Sequence, residues 1–264
     1  MTLREHECFR ELACEVRAFC AGRRVIEIVN TGNWGDSVIH AGQAQFMRDL
    51  GISPQRVSIA SLRRRNAFVL SGISRLFGGR AMVTGNGAYT KWYTRPQELK
   101  WVTGFFSQTL MMPSSFPIFP SLDLSKTRIW RRDNLESAET IPAARFCHDM
   151  AFYLRPHPRN ARHKRGVFFR KDVELGDFPL PETNRDISAE GTHRSDPEAF
   201  FDIIGQYEVV FTNRLHVGIA AALLGREVHL FPSRTRKLQS VYEASLKPFY
   251  EKVHFHTESP VDIL

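Results

Sequence analysis

The chain has 264 residues and a mass of 30.3 kDa, which suits one large domain or two small ones. Hydrophobic residues make up 42% and charged residues 24%, so the chain can bury a sizeable core, and intrinsic disorder is excluded as its main state. The net charge of +8 favours anionic partners without choosing among phosphates, nucleic acids and anionic membranes.

The start of the chain and its cysteines indicate where the protein is located and whether its thiols are reduced. No apolar run approaches the roughly 18 residues that a membrane helix needs, and the start MTLREHECFRE is charged where a signal peptide needs an apolar core. We therefore expect a cytoplasmic protein. Its four cysteines form no Cys-x-x-Cys pair, so we expect reduced thiols and no metal site.

Strand and helix patterns alternate along the first half of the chain. Residues 2–21 are predicted to form a helix that Gly22 ends, and the β-branched run 24–29 is predicted to be a strand. A Gly-rich turn, 30–37, then leads into a helix over 38–50. Further strands are predicted at 56–60, 67–71, 82–84 and 129–132. Repeated strand–turn–helix units predict an α/β fold with a parallel sheet.

A basic, proline-containing segment separates this half from the next. Residues 155–171 have the sequence RPHPRNARHKRGVFFRK, which contains no acid and is typical of a solvated linker. We therefore predict an N-terminal α/β half over 1–156, a basic linker over 157–165 and a C-terminal α/β half over 166–264. In the second half, strands are predicted at 166–170, 208–211 and 227–231, and helices at 199–205 and 215–224. Ligands of such folds bind beyond the carboxyl ends of the strands, often in the cleft between halves.

Two turns in the first half are candidate binding sites. In Asn33-x-Gly35-Asp36, backbone N–H groups at the helix start suit an anion or a sugar hydroxyl, and Asp36 is placed to cap the helix or to bind a ligand hydroxyl. A capping turn without any ligand explains the same residues. Asn86, between two glycines, likewise suits either a close backbone approach to a ligand or a simple tight turn.

Three candidates in the second half are basic or can transfer a proton. Arg170 follows a predicted strand and suits a carboxylate or a phosphate, although a surface ion pair is an equal alternative. Arg214 and His216 lie on a strand-to-helix turn, where arginine can hold an anion and histidine can transfer a proton near neutral pH. A structural histidine is the alternative. Lys237 lies in a basic loop that either closes over a phosphate or is simply solvated.

Nucleic-acid binding competes for the surplus positive charge. Residues 57–97 are basic, contain no acid and include Trp92 and Tyr93, a composition that suits a stacking groove. No sequence motif of a nucleic-acid-binding module accompanies them. We therefore expect no nucleic-acid partner.

Together these motifs resemble the polysaccharide pyruvyl transferase family over nearly the whole chain, from about Val25 to Lys247. The strongest match is Asn213-Arg214-Leu215-His216 with the downstream Lys237, which is similar to the family's T-D-R-L-H…K block. The other matching segments are N-x-G-D at 33–36, the glycine-rich stretch 85–87, the strand with R-x-x-x-S at 130–137, D-x-A-F at 149–152 and R-x-D-x-E at 170–174. Three departures are Asn213 in place of the usual Asp, Val217 in place of the usual Gly, and the lack of a middle Gly in the turn 85–87.

The resemblance implies a fold and a reaction. The fold would be two Rossmann-like halves facing a cleft, similar to the GT-B glycosyltransferase architecture, with the acceptor on the N-terminal half and phosphoenolpyruvate on the C-terminal half. The reaction would move the enolpyruvyl unit of phosphoenolpyruvate onto two hydroxyls of one sugar to form a cyclic pyruvate ketal. It would use phosphoenolpyruvate as donor substrate and no cofactor or metal.

The resemblance also suggests roles for the candidate residues. His216 would be the acid that protonates the methylene carbon, with Glu174 as the next candidate, and Arg170, Arg214 and Lys237 would clamp the donor. The remaining substrate-binding candidates are Asn33, Asp36 and Asn86.

The acceptor and two rival functions complete these expectations. The acceptor would be a lipid-linked oligosaccharide of exopolysaccharide biosynthesis, reached by peripheral contact of residues 57–97 with the inner face of the membrane. One rival is a GT-B-type glycosyltransferase that uses a nucleotide sugar. The other is a non-catalytic, glycan-binding member of the fold.

Overall fold

Ten strands form two sheets in the computed structural model, which describes residues 3–64, 79–87, 89–93, 95–119 and 122–260. The first sheet consists of β1 (Val25–Val29), β2 (Gln55–Ser58), β3 (Arg80–Val83), β4 (Gln108–Ser114), β5 (Thr127–Arg131) and β6 (Arg145–Phe146). The second consists of β7 (His163–Phe168), β8 (Tyr207–Thr212), β9 (Glu227–Leu230) and β10 (Val253–Phe255). Their orders are β2-β1-β3-β4-β5-β6 and β10-β9-β8-β7. The described pairings in both sheets are parallel.

Helices connect these strands. The α-helices are α1 (Glu7–Cys20), α2 (Trp34–Asp49), α3 (Ile59–Arg64), α4 (Arg95–Phe105), α5 (Glu136–Thr140), α6 (Pro197–Ile204), α7 (Leu215–Leu223) and α8 (Lys237–Val241). Short 3-10 turns lie at Leu3–Glu5, Met150–Tyr153 and Ile187–Glu190, and a π-helical turn at Tyr242–Leu246. The chain is therefore a mixed α/β protein with two parallel sheets, which is compatible with a Rossmann-like fold. Similarity to the GT-B architecture stays a prediction.

The predicted elements differ from the observed ones mainly at their ends. The predicted helix over 38–50 begins earlier, at Trp34, because the backbone N–H of Asn33 donates to Oδ2 of Asp36 at 2.9 Å and makes the turn the first turn of the helix. The strand predicted at 67–71 lies outside the described residues. The strands β4, β6 and β10 and the helices α3, α4, α5 and α8 were not predicted.

The two sheets share a continuous core. One cluster of buried side chains contains Val38 and Phe46 of α2 together with Phe200 of α6 and Val217 of α7. The strand β7 begins at His163, within the segment predicted to be a linker, and pairs with β8 from its first residue. Shared apolar packing therefore fixes α2 of the first half against helices of the second, while the division into domains stays a prediction.

Candidate active site

A cavity of about 400 Å³ lies where carboxyl ends of strands from both sheets come together. The loops that follow β1, β3 and β5 line one side, and those that follow β7, β8 and β9 line the other. Parallel strands place such loops at one edge, where α/β proteins bind ligands. All of the residues predicted for catalysis and substrate binding line this cavity: Asn33, Asp36, Asn86, Arg170, Arg214, His216 and Lys237. The fold thus brings them together, and their roles stay predictions.

The start of α2 meets the histidine of the second half. Asp36 accepts the hydrogen bond from Asn33 that was described above, so it has the capping role that the sequence left open. A Cβ atom at Gly35 would lie 2.9 Å from Nδ1 of His216. The missing side chain at this position therefore lets the imidazole pack against the first turn of α2.

An ion pair that sequence reasoning missed lies behind this histidine. Arg132 and Asp149 form a salt bridge, and both side chains are fully buried. Nε of Arg132 donates to Oγ of Ser115 at 2.9 Å, whereas its Nη2 has no hydrogen-bond partner among the described residues. Oδ2 of Asp149 also lies 3.6 Å from Nε2 of His216. Both residues lie within the segments that carry the family resemblance, but no local pattern shows that they pair.

The charge of Asp149 follows from its neighbours. Burial opposes its ionisation, but the charge of Arg132 and the contact with His216 outweigh burial and hold the pKa of Asp149 well below its usual range. Asp149 is therefore ionised at neutral pH. A buried negative charge therefore lies 3.6 Å from the imidazole of His216.

Arg170 and Arg214 share a carboxylate between them. Arg170 donates from Nε to Asp172 at 2.7 Å and from Nη1 to Glu174 at 2.5 Å. Arg214 contacts Asp172 through Nη1 at 2.8 Å and Asp186 through Nε and Nη2 at 2.9 and 2.6 Å. These bonds fix the planes of both guanidinium groups and compensate their charges. Arg170 and Arg214 are therefore oriented donors rather than bare positive charges.

Glu174 is a charged hydrogen-bond acceptor in this arrangement. Nζ of Lys237 lies 2.9 Å from its Oε2. Burial opposes ionisation of Glu174, but Lys237 and Arg170 lower its pKa below the usual value. A carboxylate that is already ionised is a poor proton donor. Burial and the charges of Glu174 and Asp172 raise the pKa of the nearby Tyr93 to about 12, so its phenol is neutral.

The turn after β3 closes over the arginine of the first half. The backbone N–H of Asn86 donates to Oγ of Ser114 at 3.0 Å, which fixes the turn on the neighbouring strand. A Cβ atom at Gly87 would lie closer than 3.0 Å to Nη2 of Arg132 and 3.1 Å from Cδ of Lys237. Only a residue without a side chain fits here while the two cations keep their places.

Asn213, a departure from the family pattern, lies directly behind one of the arginines. Its Oδ1 accepts a hydrogen bond from the backbone N–H of Arg170 at 2.9 Å, so it ties the end of β8 to the end of β7. Its Nδ2 is buried and has no hydrogen-bond partner among the described residues. Asn213 thus links the ends of the two strands beneath the site without adding a charge.

Fold and cavity together define a two-sheet α/β protein with a charged site at the carboxyl edges of its parallel strands. The chain belongs to the polysaccharide pyruvyl transferase family, whose model matches residues 33–234. That span includes all of the predicted site residues except Lys237. Membership supports a role in pyruvyl transfer in general and implies a saccharide acceptor.

Comparison with solved structures supports the fold. A functionally uncharacterised protein from Klebsiella pneumoniae subsp. pneumoniae NTUH-K2044 has a similar structure, with a TM-score of 0.76 and 23% sequence identity, over 96% of this chain and 100% of that one. No curated protein sequence matches the chain. Within the described residues, no helix is long and apolar enough to cross a membrane.

Proposed function

We propose that the chain transfers the enolpyruvyl unit of phosphoenolpyruvate onto two hydroxyls of one sugar, forming a cyclic ketal and releasing phosphate. The observation that carries this proposal is the meeting of three groups in one cavity. They are Arg132, whose Nη2 has no hydrogen-bond partner among the residues described, Lys237 from the second half, and His216 next to an ionised carboxylate. Family membership supports pyruvyl transfer in general, and the donor and the ketal are the proposal.

The donor would bind through directed N–H groups rather than through excess charge. Phosphoenolpyruvate carries a phosphate and a carboxylate, and each suits a planar guanidinium. Arg170 and Arg214 are held in fixed planes by their carboxylate partners, so little conformational entropy remains to be lost on binding. Nη2 of Arg132 is buried and has no hydrogen-bond partner in the described part of the chain, so it has the most to gain from an anion.

His216 would supply the proton. In this mechanism the imidazolium gives its proton to the methylene carbon, which becomes the methyl group and leaves the adjacent carbon electrophilic. The first hydroxyl bonds to that carbon and returns its proton to the imidazole. The second hydroxyl then replaces phosphate, which takes the second proton away. Asp149, 3.6 Å from Nε2, would stabilise the imidazolium through each step.

The acceptor would enter from the side of the first sheet. Asn33 and Asn86 line that side of the cavity, and their carbonyl and amide groups suit sugar hydroxyls. We further propose a lipid-linked oligosaccharide as acceptor and a cytoplasmic location at the inner face of the membrane. The net charge of +8 supports contact with an anionic surface. Much of the basic segment 57–97 lies outside the described residues.

Ligand-dependent unfolding tests the donor. Phosphoenolpyruvate at about 100 times its dissociation constant should stabilise the protein by about 2.7 kcal/mol. Inorganic phosphate and a nucleotide diphosphate sugar serve as comparison ligands. A clear rise in melting temperature with the nucleotide sugar, and none with phosphoenolpyruvate, would support a glycosyltransferase instead.

A further inference from the structure

Two histidines and two cysteines meet on the far side of the Asp149 segment, away from the cavity. His6 precedes α1 and Cys8 lies in its first turn, while Cys147 and His148 follow β6. The Cys8 sulfur and one ring nitrogen each of His6 and His148 all lie within 4.8 Å of one another. The buried Cys147 lies beside Cys8. Residues from both ends of the first half thus converge on one point.

One separation between candidate ligand atoms already matches that of two ligands bound to the same metal ion. Nδ1 of His6 lies 3.3 Å from Sγ of Cys8. With metal–nitrogen bonds of about 2.0–2.1 Å and a metal–sulfur bond of about 2.3 Å in tetrahedral geometry, two ligand atoms lie roughly 3.5 Å apart. The ring centroids of His6 and His148 are 4.8 Å apart, at an angle of 77°. The remaining separations, up to 4.8 Å, would shorten as the side chains close on the ion, which would replace the 3.4 Å hydrogen bond from the backbone N–H of Cys8 to Nδ1 of His6.

An unsatisfied nitrogen points independently to a ligand. His148 is 1% exposed, and its Nε2 has no hydrogen-bond partner among the described residues. Leaving a buried polar atom unbonded is energetically unfavourable, so such atoms usually have a partner. Nδ1 of the same ring lies 2.8 Å from Oγ of Ser245. This is the outer hydrogen bond that metal-binding histidines commonly make through the nitrogen that does not coordinate.

The surroundings suit a soft transition metal. The rings of Phe146, Phe152 and Phe249 pack around His148 and exclude water from it. Thiolate and imidazole ligands favour Zn²⁺ over Mg²⁺ and Ca²⁺.

We propose that His6, Cys8 and His148 bind a structural Zn²⁺ ion. The sequence predicted no metal site because the ligands do not form a local Cys-x-x-Cys pattern and two of them are histidines. The ion would fasten the start of α1 to the residue that precedes Asp149. It would thereby hold the carboxylate that contacts both Arg132 and His216.

Metal binding to the purified full-length chain tests this proposal. After removal of metals by a chelator, Zn²⁺ should bind in a one-to-one ratio and raise the melting temperature. Co²⁺ in its place should give the thiolate charge-transfer absorption and the intense visible bands of a tetrahedral site. Cys8→Ser should abolish these signals. Ser245→Ala should weaken Zn²⁺ binding by roughly 10- to 100-fold, the usual effect of losing an outer partner.

Controls and a second variant keep the outcomes distinct. Cys14→Ser changes an exposed cysteine of the same helix and should bind Zn²⁺ like the wild type. If Cys8→Ser does not fold, His6→Gln replaces it, because His6 is only half-buried. A wild-type protein that binds no Zn²⁺, a Co²⁺ complex without thiolate absorption, or equal Zn²⁺ affinity in the wild type and the ligand variants would overturn the proposal. The cluster would then be a hydrogen-bonded part of the core.

Discussion

Replacing Gly87 with alanine perturbs the proposed donor site without removing any charged group. The new Cβ would lie closer than 3.0 Å to Nη2 of Arg132. The guanidinium is fully buried and is held by Ser115 through Nε and by Asp149 through Nη1, so it can withdraw only by weakening those bonds. Losing one hydrogen bond between Arg132 and the donor should cost about 1.5–3 kcal/mol, which is roughly a 10- to 150-fold loss of phosphoenolpyruvate affinity.

The assay is calorimetric titration of phosphoenolpyruvate into wild type and variant, with the melting temperature of each measured in parallel. Gly104→Ala is the matched control, because a Cβ there meets no atom within 4 Å and alanine favours the helix α4 by up to about 1 kcal/mol. Gly104→Ala should therefore bind the donor normally and melt no lower than the wild type. Unchanged donor affinity in Gly87→Ala, with a folded protein, would refute the assignment of Arg132 as an anion-binding group.

Three further predictions concern the histidine, an arginine and the pH dependence of stability. His216→Gln should retain much of the donor affinity yet lower kcat by about 100-fold or more, since glutamine cannot deliver a proton; a kcat within a few-fold of wild type would remove His216 from the acid role. Arg214→Lys should raise the KM for the donor, because lysine cannot keep both hydrogen bonds to Asp186. Arg185→Lys, an exposed ion-paired arginine, is the control in the same kinetic assay. Burial, aided by the charge of Arg56, lowers the pKa of His40 to about 4. Because the pKa of His40 in the folded state lies below its unfolded value, its contribution to the free energy of unfolding is full above about pH 6.5 and falls by about 3 kcal/mol as the pH drops to 4. Denaturant unfolding at several pH values measures this fall, and the free energy of unfolding should depend less steeply on pH in His40→Leu.

Local patterns in the sequence were enough to predict much of the fold. The β-branched run at β1 and the apolar helix α7 are buried elements whose composition alone predicts their type. The two-residue strand β6 is too short to have a pattern. The predicted start of α2 was wrong because a hydrogen bond from the backbone N–H of Asn33 to the carboxylate of Asp36 extends the helix into a turn rich in glycine.

The site was predictable only in part, for a different reason. Residues on loops after parallel strands must converge, so the convergence of Arg170, Arg214 and His216 followed from their positions along the chain. The pairing of Arg132 with Asp149 depends on the order of strands β5 and β6 in the sheet, which no local pattern contains. Asp186, which compensates Arg214, was missed for a similar reason, since it reaches Arg214 from a distant loop.

Mass spectrometry of the reaction product tests the central claim most directly. The wild-type protein is incubated in heavy water with phosphoenolpyruvate and a panel of lipid-linked and soluble oligosaccharides. The proposed chemistry predicts an acceptor that gains the mass of one pyruvate less one water, with one deuterium in the new methyl group and one phosphate released per ketal. A product that keeps the phosphate, a ketal whose methyl group contains no deuterium, or no ketal on any acceptor despite tight phosphoenolpyruvate binding would contradict it.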